Sequence, residues 1–152
     1  STRKREATCA SGGLRTAVEK RSTPPVGARL ILVDTSIWID HLRSSDEQLV
    51  ALLDNGKVLA HPFVTGELAL GNLVNRHAVL GALQELPHAN VATSTEVLQF
   101  IAEKTLYGSG IGYTDAHLLA AVLLTPGSTL WTRDKRLHAL ASRLGIATQT
   151  TH

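Results

Sequence analysis

The chain has 152 residues, 43% hydrophobic and 18% charged, enough for one domain with a sizeable core and too few for two. This composition excludes wholesale disorder, no apolar run is long enough to cross a bilayer, and a lone Cys9 excludes an internal disulfide and a thiolate zinc site. The net charge of +2 conceals a division: residues 1–29 carry seven basic and two acidic side chains, net +5, which leaves −3 on residues 30–152.

The basic segment 1–29 has a Gly12-Gly13 break and a Pro24-Pro25 stop with little apolar periodicity, and reads as a flexible arm. A leader, an upstream start and an expression scar are all open as its origin. At Leu30 the pattern changes to Leu30-Ile31-Leu32-Val33, a continuous apolar run of the kind found in a strand buried on both faces. Helices are predicted over Ser36–Arg43 and Asp46–Asn55, then a short strand over Lys57–Ala60 and a helix opening at Pro62, where proline suits the first turn. Further helices are predicted over His77–Leu86, Thr95–Tyr107 and Tyr113–Leu124. A strand over Ser128–Trp131, a helix over Lys135–Leu144 stopped by Gly145, and a last strand over Ile146–Gln149 complete the chain. The alternation predicts an α/β domain over residues 30–152 with a mostly parallel sheet.

In such sheets, ligand-binding groups collect beyond the carboxyl ends of the strands. Asp34 follows the first strand directly, and Asp134 follows the Ser128–Trp131 strand by two residues. Two more acids, Glu67 and Asp115, stand in apolar or small-residue helical settings, where a carboxylate is costly without a partner. Taken singly, each has an ordinary reading: Asp34, Asp115 and Asp134 as helix caps, Glu67 as a solvated side chain. Taken together, with few basic residues near them, they point to a shared divalent cation. Oxygen donors without cysteine favour magnesium or manganese.

The run Val33-Asp34-Thr35-Ser36-Ile37-Trp38-Ile39-Asp40, then Glu67, then Tyr113-Thr114-Asp115-Ala116-His117, then Trp131-Thr132-Arg133-Asp134, resembles the four-acid pattern of PIN domains, and most of all the VapC-type toxins. The resemblance covers Leu30 to Gln149. It implies a three-layer α/β/α sandwich and an endoribonuclease that hydrolyses RNA by metal-activated water, leaving a 5′-phosphate and a 3′-hydroxyl. It also implies Asp34, Glu67, Asp115 and Asp134 as ligands of Mg2+ or Mn2+, with Thr132, and in lesser degree Thr35 and Ser36, holding a ligand or water. Implied partners are a VapB-like antitoxin, whose tail fills the active-site groove, and a second copy of the chain, in a bacterial cytoplasm. Within the arm, Thr2–Ala7 and Leu14–Arg21 are similar to the second helix of ribbon-helix-helix antitoxins, interrupted by Cys9–Gly13, so an antitoxin-like remnant is another origin for it.

Arg133, Lys135 and Arg136 flank Asp134 and are candidates for holding phosphate, against the alternative of a solvated helix start; Arg43 is a weaker one. His117 is open to two readings, facing the site or making a local polar contact, the second favoured; Trp131 is expected to be core, and Trp38 to be core or dimer surface. The sequence 108–112, Gly-Ser-Gly-Ile-Gly, fails the dinucleotide pattern because it follows no strand, and is read as a turn that positions Asp115. Rival readings are a haloacid-dehalogenase-like phosphatase, which needs a second aspartate where Ser36 stands, a response-regulator receiver, and a catalytically inactive RNA-binding or complex-forming domain.

Overall fold

The computed structural model describes residues 29–149. The expectations for the arm, Cys9 included, lie outside the described residues. Three parallel strands, β1 (Leu30–Val33), β2 (Val58–Leu59) and β3 (Ser128–Trp131), form a sheet in the order β2-β1-β3. The run Leu30–Val33 is apolar throughout because β1 is central. Neighbouring residues of a strand point to opposite faces, and Leu32 and Val33 are both 0% exposed, so both faces are covered. That is the requirement of a three-layer α/β/α fold, as expected.

Seven helices lie among the described residues: α1 (Thr35–Arg43), α2 (Glu47–Asp54), α3 (Pro62–Leu70), α4 (Arg76–Glu85), α5 (Ser94–Glu103), α6 (Tyr113–Leu124) and α7 (Lys135–Arg143). Side chains fix several of their starts by accepting otherwise unpaired backbone N–H groups. Asp46 accepts from Leu49 at 3.0 Å, the His61 ring from Phe63 at 3.0 Å, and Asp134 from Leu137 at 2.9 Å. Thr93 and Glu96 form a reciprocal capping box on α5. Helix α6 is buried almost all round, from Ala116 to Val122, and so runs through the core rather than over it.

Two elements differ from expectation by more than a residue at an end. Helix α5 stops at Glu103 instead of Tyr107, because Thr105 takes a left-handed φ of 55° and turns the chain. The segment Ile146–Gln149 contributes only a single parallel bridge, Ala147 to Leu130, with Leu130 N–H donating to Ile146 O and Thr148 N–H to Leu130 O. Gly145, at φ 75°, ends α7 as read from the sequence.

The register of β1 on β3 positions the site. Val33 pairs with Trp131, and the Asp34 N–H donates to the Trp131 carbonyl at 2.9 Å. The residues that follow the two strands, Asp34 and Thr132, therefore emerge side by side.

Candidate active site

Asp34 is the most buried of the four acids at 7% exposure. It stands at the N-terminus of α1 without capping it. Its Oδ2 instead accepts from the Thr132 hydroxyl at 2.7 Å and the Ser36 hydroxyl at 2.9 Å. Each hydroxyl is oriented in turn from the main chain: Asp134 N–H donates to Thr132 Oγ1 at 3.1 Å, and Arg133 N–H to Ser36 Oγ at 3.1 Å. A buried carboxylate with two donors on one oxygen is held in one orientation.

Glu67, on the exposed side of α3, accepts from the Thr35 hydroxyl at 2.6 Å, which ties it to the first turn of α1. Asp115 is the third residue of α6 and accepts from the Gly112 N–H at 3.3 Å, so the glycine-rich turn does position it. Burial raises the Asp115 pKa, the Gly112 hydrogen bond opposes this, and the negative charges of Asp34, Asp134 and Glu67 raise it further. Three other segments thus bring their carboxylates within electrostatic reach of Asp115. Among the described residues no three His, Cys, Asp or Glu side chains are grouped closely enough to hold a metal ion between them. A hard ion such as Mg2+ needs no such grouping, since it commonly takes one or two carboxylates and keeps water and phosphate as its other ligands. An Asp115 carboxyl under the charge of three other acids, with oxygen-only donors around it, fits a divalent cation.

The hydroxyls of Thr35, Ser36 and Thr132 are therefore directed to carboxylates. Of the flanking cations, Lys135 and Arg136 are exposed, and the Arg136 side chain lies along the backbone of Gly110. Arg133, a candidate for the phosphate rim, pairs through Nε with Asp40 and through Nη2 with Asp46 at 3.3 Å. Asp40 and Asp46 were not singled out by sequence reading. The signal was present, since Asp40 lies one turn after Ser36 on the same face of α1 and Asp46 opens α2. Trp38 and Trp131 are both core residues.

His117 corrects another expectation. It is buried with neither ring nitrogen hydrogen-bonded among the described residues, and it packs between the rings of Phe63 and Tyr113, at centroid distances of 4.4 and 4.6 Å. His61 was also missed. Wholly buried, it has a pKa lowered to about 4, by desolvation first and then by repulsion from His117 and His88.

Beside Glu67 a cleft of about 400 Å3 runs between α1 and the end of α3, lined by Ile39, Leu42, Arg43, Leu68, Leu73 and Val74 among others. No helix among the described residues is long and apolar enough to cross a membrane.

The PIN-domain family model matches residues 31–142, a span that contains all four acids. The chain belongs to the PIN-domain family. Ribonuclease VapC32 of Mycobacterium tuberculosis, in strains CDC 1551 and H37Rv alike, is 48% identical over 118 residues, covering 78% of this chain and 95% of the relative. Within the PIN domains, then, the chain stands with the VapC ribonucleases. The phosphatase and receiver readings are thereby set aside, and the arm precedes the PIN-domain match.

Proposed function

We propose that this PIN domain is the toxin of a VapBC toxin–antitoxin pair, an Mg2+- or Mn2+-dependent endoribonuclease that hydrolyses RNA phosphodiester bonds in the bacterial cytoplasm. The observation that carries the reading is that the charges of Asp34, Asp134 and Glu67 all reach the Asp115 carboxyl, in a chain 48% identical to a ribonuclease. Asp34, Glu67 and Asp115, with Asp134 as the fourth acid, would hold the ion through carboxylate oxygens and water. When bound there, the ion supplies the Lewis acidity that lowers the pKa of water and stabilises charge on the phosphate.

The chain's own groups do the rest. Thr132 and Ser36 keep Asp34 in one rotamer, and Thr35 does the same for Glu67. Lys135 and Arg136, exposed on the first turn of α7, face the phosphates. The apolar cleft beside Glu67 accepts a segment of the antitoxin, whose removal frees the site. The active species is a homodimer.

The test is cleavage of structured and unstructured RNAs by the full chain with Mg2+ or Mn2+, with EDTA, and with Asp34→Asn and Asp115→Asn. Metal-dependent cutting that leaves 5′-phosphates, abolished by EDTA and by both substitutions, is expected. Equal cutting by the variants, or none by the wild type without antitoxin, overturns the catalytic reading in favour of an RNA-binding or complex-forming domain. Light scattering of the purified chain checks the dimer.

A further inference from the structure

Arg133 is attached to α1 twice, once by main chain and once by side chain. Its N–H donates to Ser36 Oγ, and its guanidinium pairs with Asp40, one helical turn further along the same face. The same guanidinium reaches Asp46, whose other carboxylate oxygen caps α2 through the Leu49 N–H and whose own N–H donates to the His41 ring. One side chain thus joins the end of β3 to both helices that follow β1. Arg133 and Asp40 are partly exposed, and a surface pair of this kind adds little to folding stability. Its effect is positional. Ser36, held by the Arg133 N–H, donates to Asp34 Oδ2, and Thr132, next to Arg133, donates to the same oxygen.

We propose that Arg133 is a positioning residue: its guanidinium bridges Asp40 and Asp46, clamps the end of β3 to α1, and so fixes the Ser36 and Thr132 hydroxyls that orient the Asp34 carboxylate. The inference rests on the metal-dependent reading of the acid site and adds to it a residue that touches neither metal nor RNA. Two of the guanidinium nitrogens are taken by acids, so Arg133 is not the phosphate contact that its place beside Asp134 suggests.

Four substitutions test it. Asp40→Asn and Asp46→Asn keep shape and leave Arg133 in place, and asparagine keeps the α2 cap; Arg133→Lys keeps the charge but not the fork. On the metal-free protein, amide exchange at Arg133 is expected to quicken about fivefold or more in the Asp40→Asn, Asp46→Asn double variant. With metal, Mn2+ affinity by calorimetry without RNA is expected to weaken about tenfold in Arg133→Ala and to recover in part in Arg133→Lys. The KM for RNA should stay within about twofold of wild type. Unchanged exchange in the double variant overturns the clamp. So does a raised KM in Arg133→Ala with a salt slope smaller by about one and unaltered Mn2+ affinity, which marks a phosphate contact. A wild type that neither binds Mn2+ nor cuts RNA overturns the nuclease reading, while amide exchange still decides whether the clamp holds Ser36.

Discussion

The Thr132 hydroxyl donates to Asp34 Oδ2 over 2.7 Å and so joins the carboxyl ends of β3 and β1 across 98 residues of chain. Thr132→Val keeps the shape of the side chain, removes this donor, and leaves the Asp134 N–H without its acceptor. RNA cleavage is expected to fall about 10- to 100-fold, with a stability loss of about 1 kcal/mol seen in thermal melting. Thr132→Ser, which retains the hydroxyl, should stay close to wild type in both measurements.

Asp134 has two tasks that substitution separates. As the cap of α7 it accepts from the Leu137 N–H, and as an acid it adds to the charge around Asp115. Asp134→Asn keeps the cap and should melt like the wild type while cutting more slowly. Asp134→Ala loses both, with a stability cost of about 1 kcal/mol. Equal melting temperatures for the two variants would show that the cap does not matter.

His61 makes stability depend on acid. Its folded pKa of about 4 lies below the ordinary 6.5, so between these values the unfolded chain takes up a proton that the folded chain refuses. Stability is full above pH 6.5 and declines as the pH falls toward 4, by about 3 kcal/mol in all. His61→Asn preserves an acceptor for the Phe63 N–H and should flatten this decline in urea melts across that range. A residual slope is expected from His117, whose pKa burial also lowers.

Gly110 sits at φ 90° with Arg136 against it, so that a Cβ would lie 2.8 Å from Arg136 Nη1. A flexible arginine can move aside, but the backbone angle cannot change without displacing the turn that leads to Asp115. Gly110→Ala is expected to destabilise by about 1–2 kcal/mol and to slow cleavage. Adding Arg136→Ala should not restore either. Rescue by that second substitution would place the cost in the side-chain contact instead.

The sequence by itself determined the layering and singled out the four candidate acids. A four-residue apolar run such as Leu30–Val33 is stable only when covered on both faces, which calls for a central parallel strand. The acids at strand ends and in apolar helices are costly enough to signal a shared purpose. Local chemistry likewise marked Pro62 at a helix start and Gly145 at a helix stop. What only the tertiary structure decided are relations between distant segments. That Ser36 and Thr132 converge on one oxygen of Asp34 depends on the register of β1 against β3. That Arg133 turns to Asp40 and Asp46 rather than outward depends on where α1 and α2 lie beside the end of β3. The burial of His61 and His117 depends on Phe63 of α3 meeting both rings, since a histidine in sequence carries no mark of the dielectric it will occupy. Hydrogen bonds and charge shifts act through space over a few ångströms, and spacing along the chain does not encode that distance.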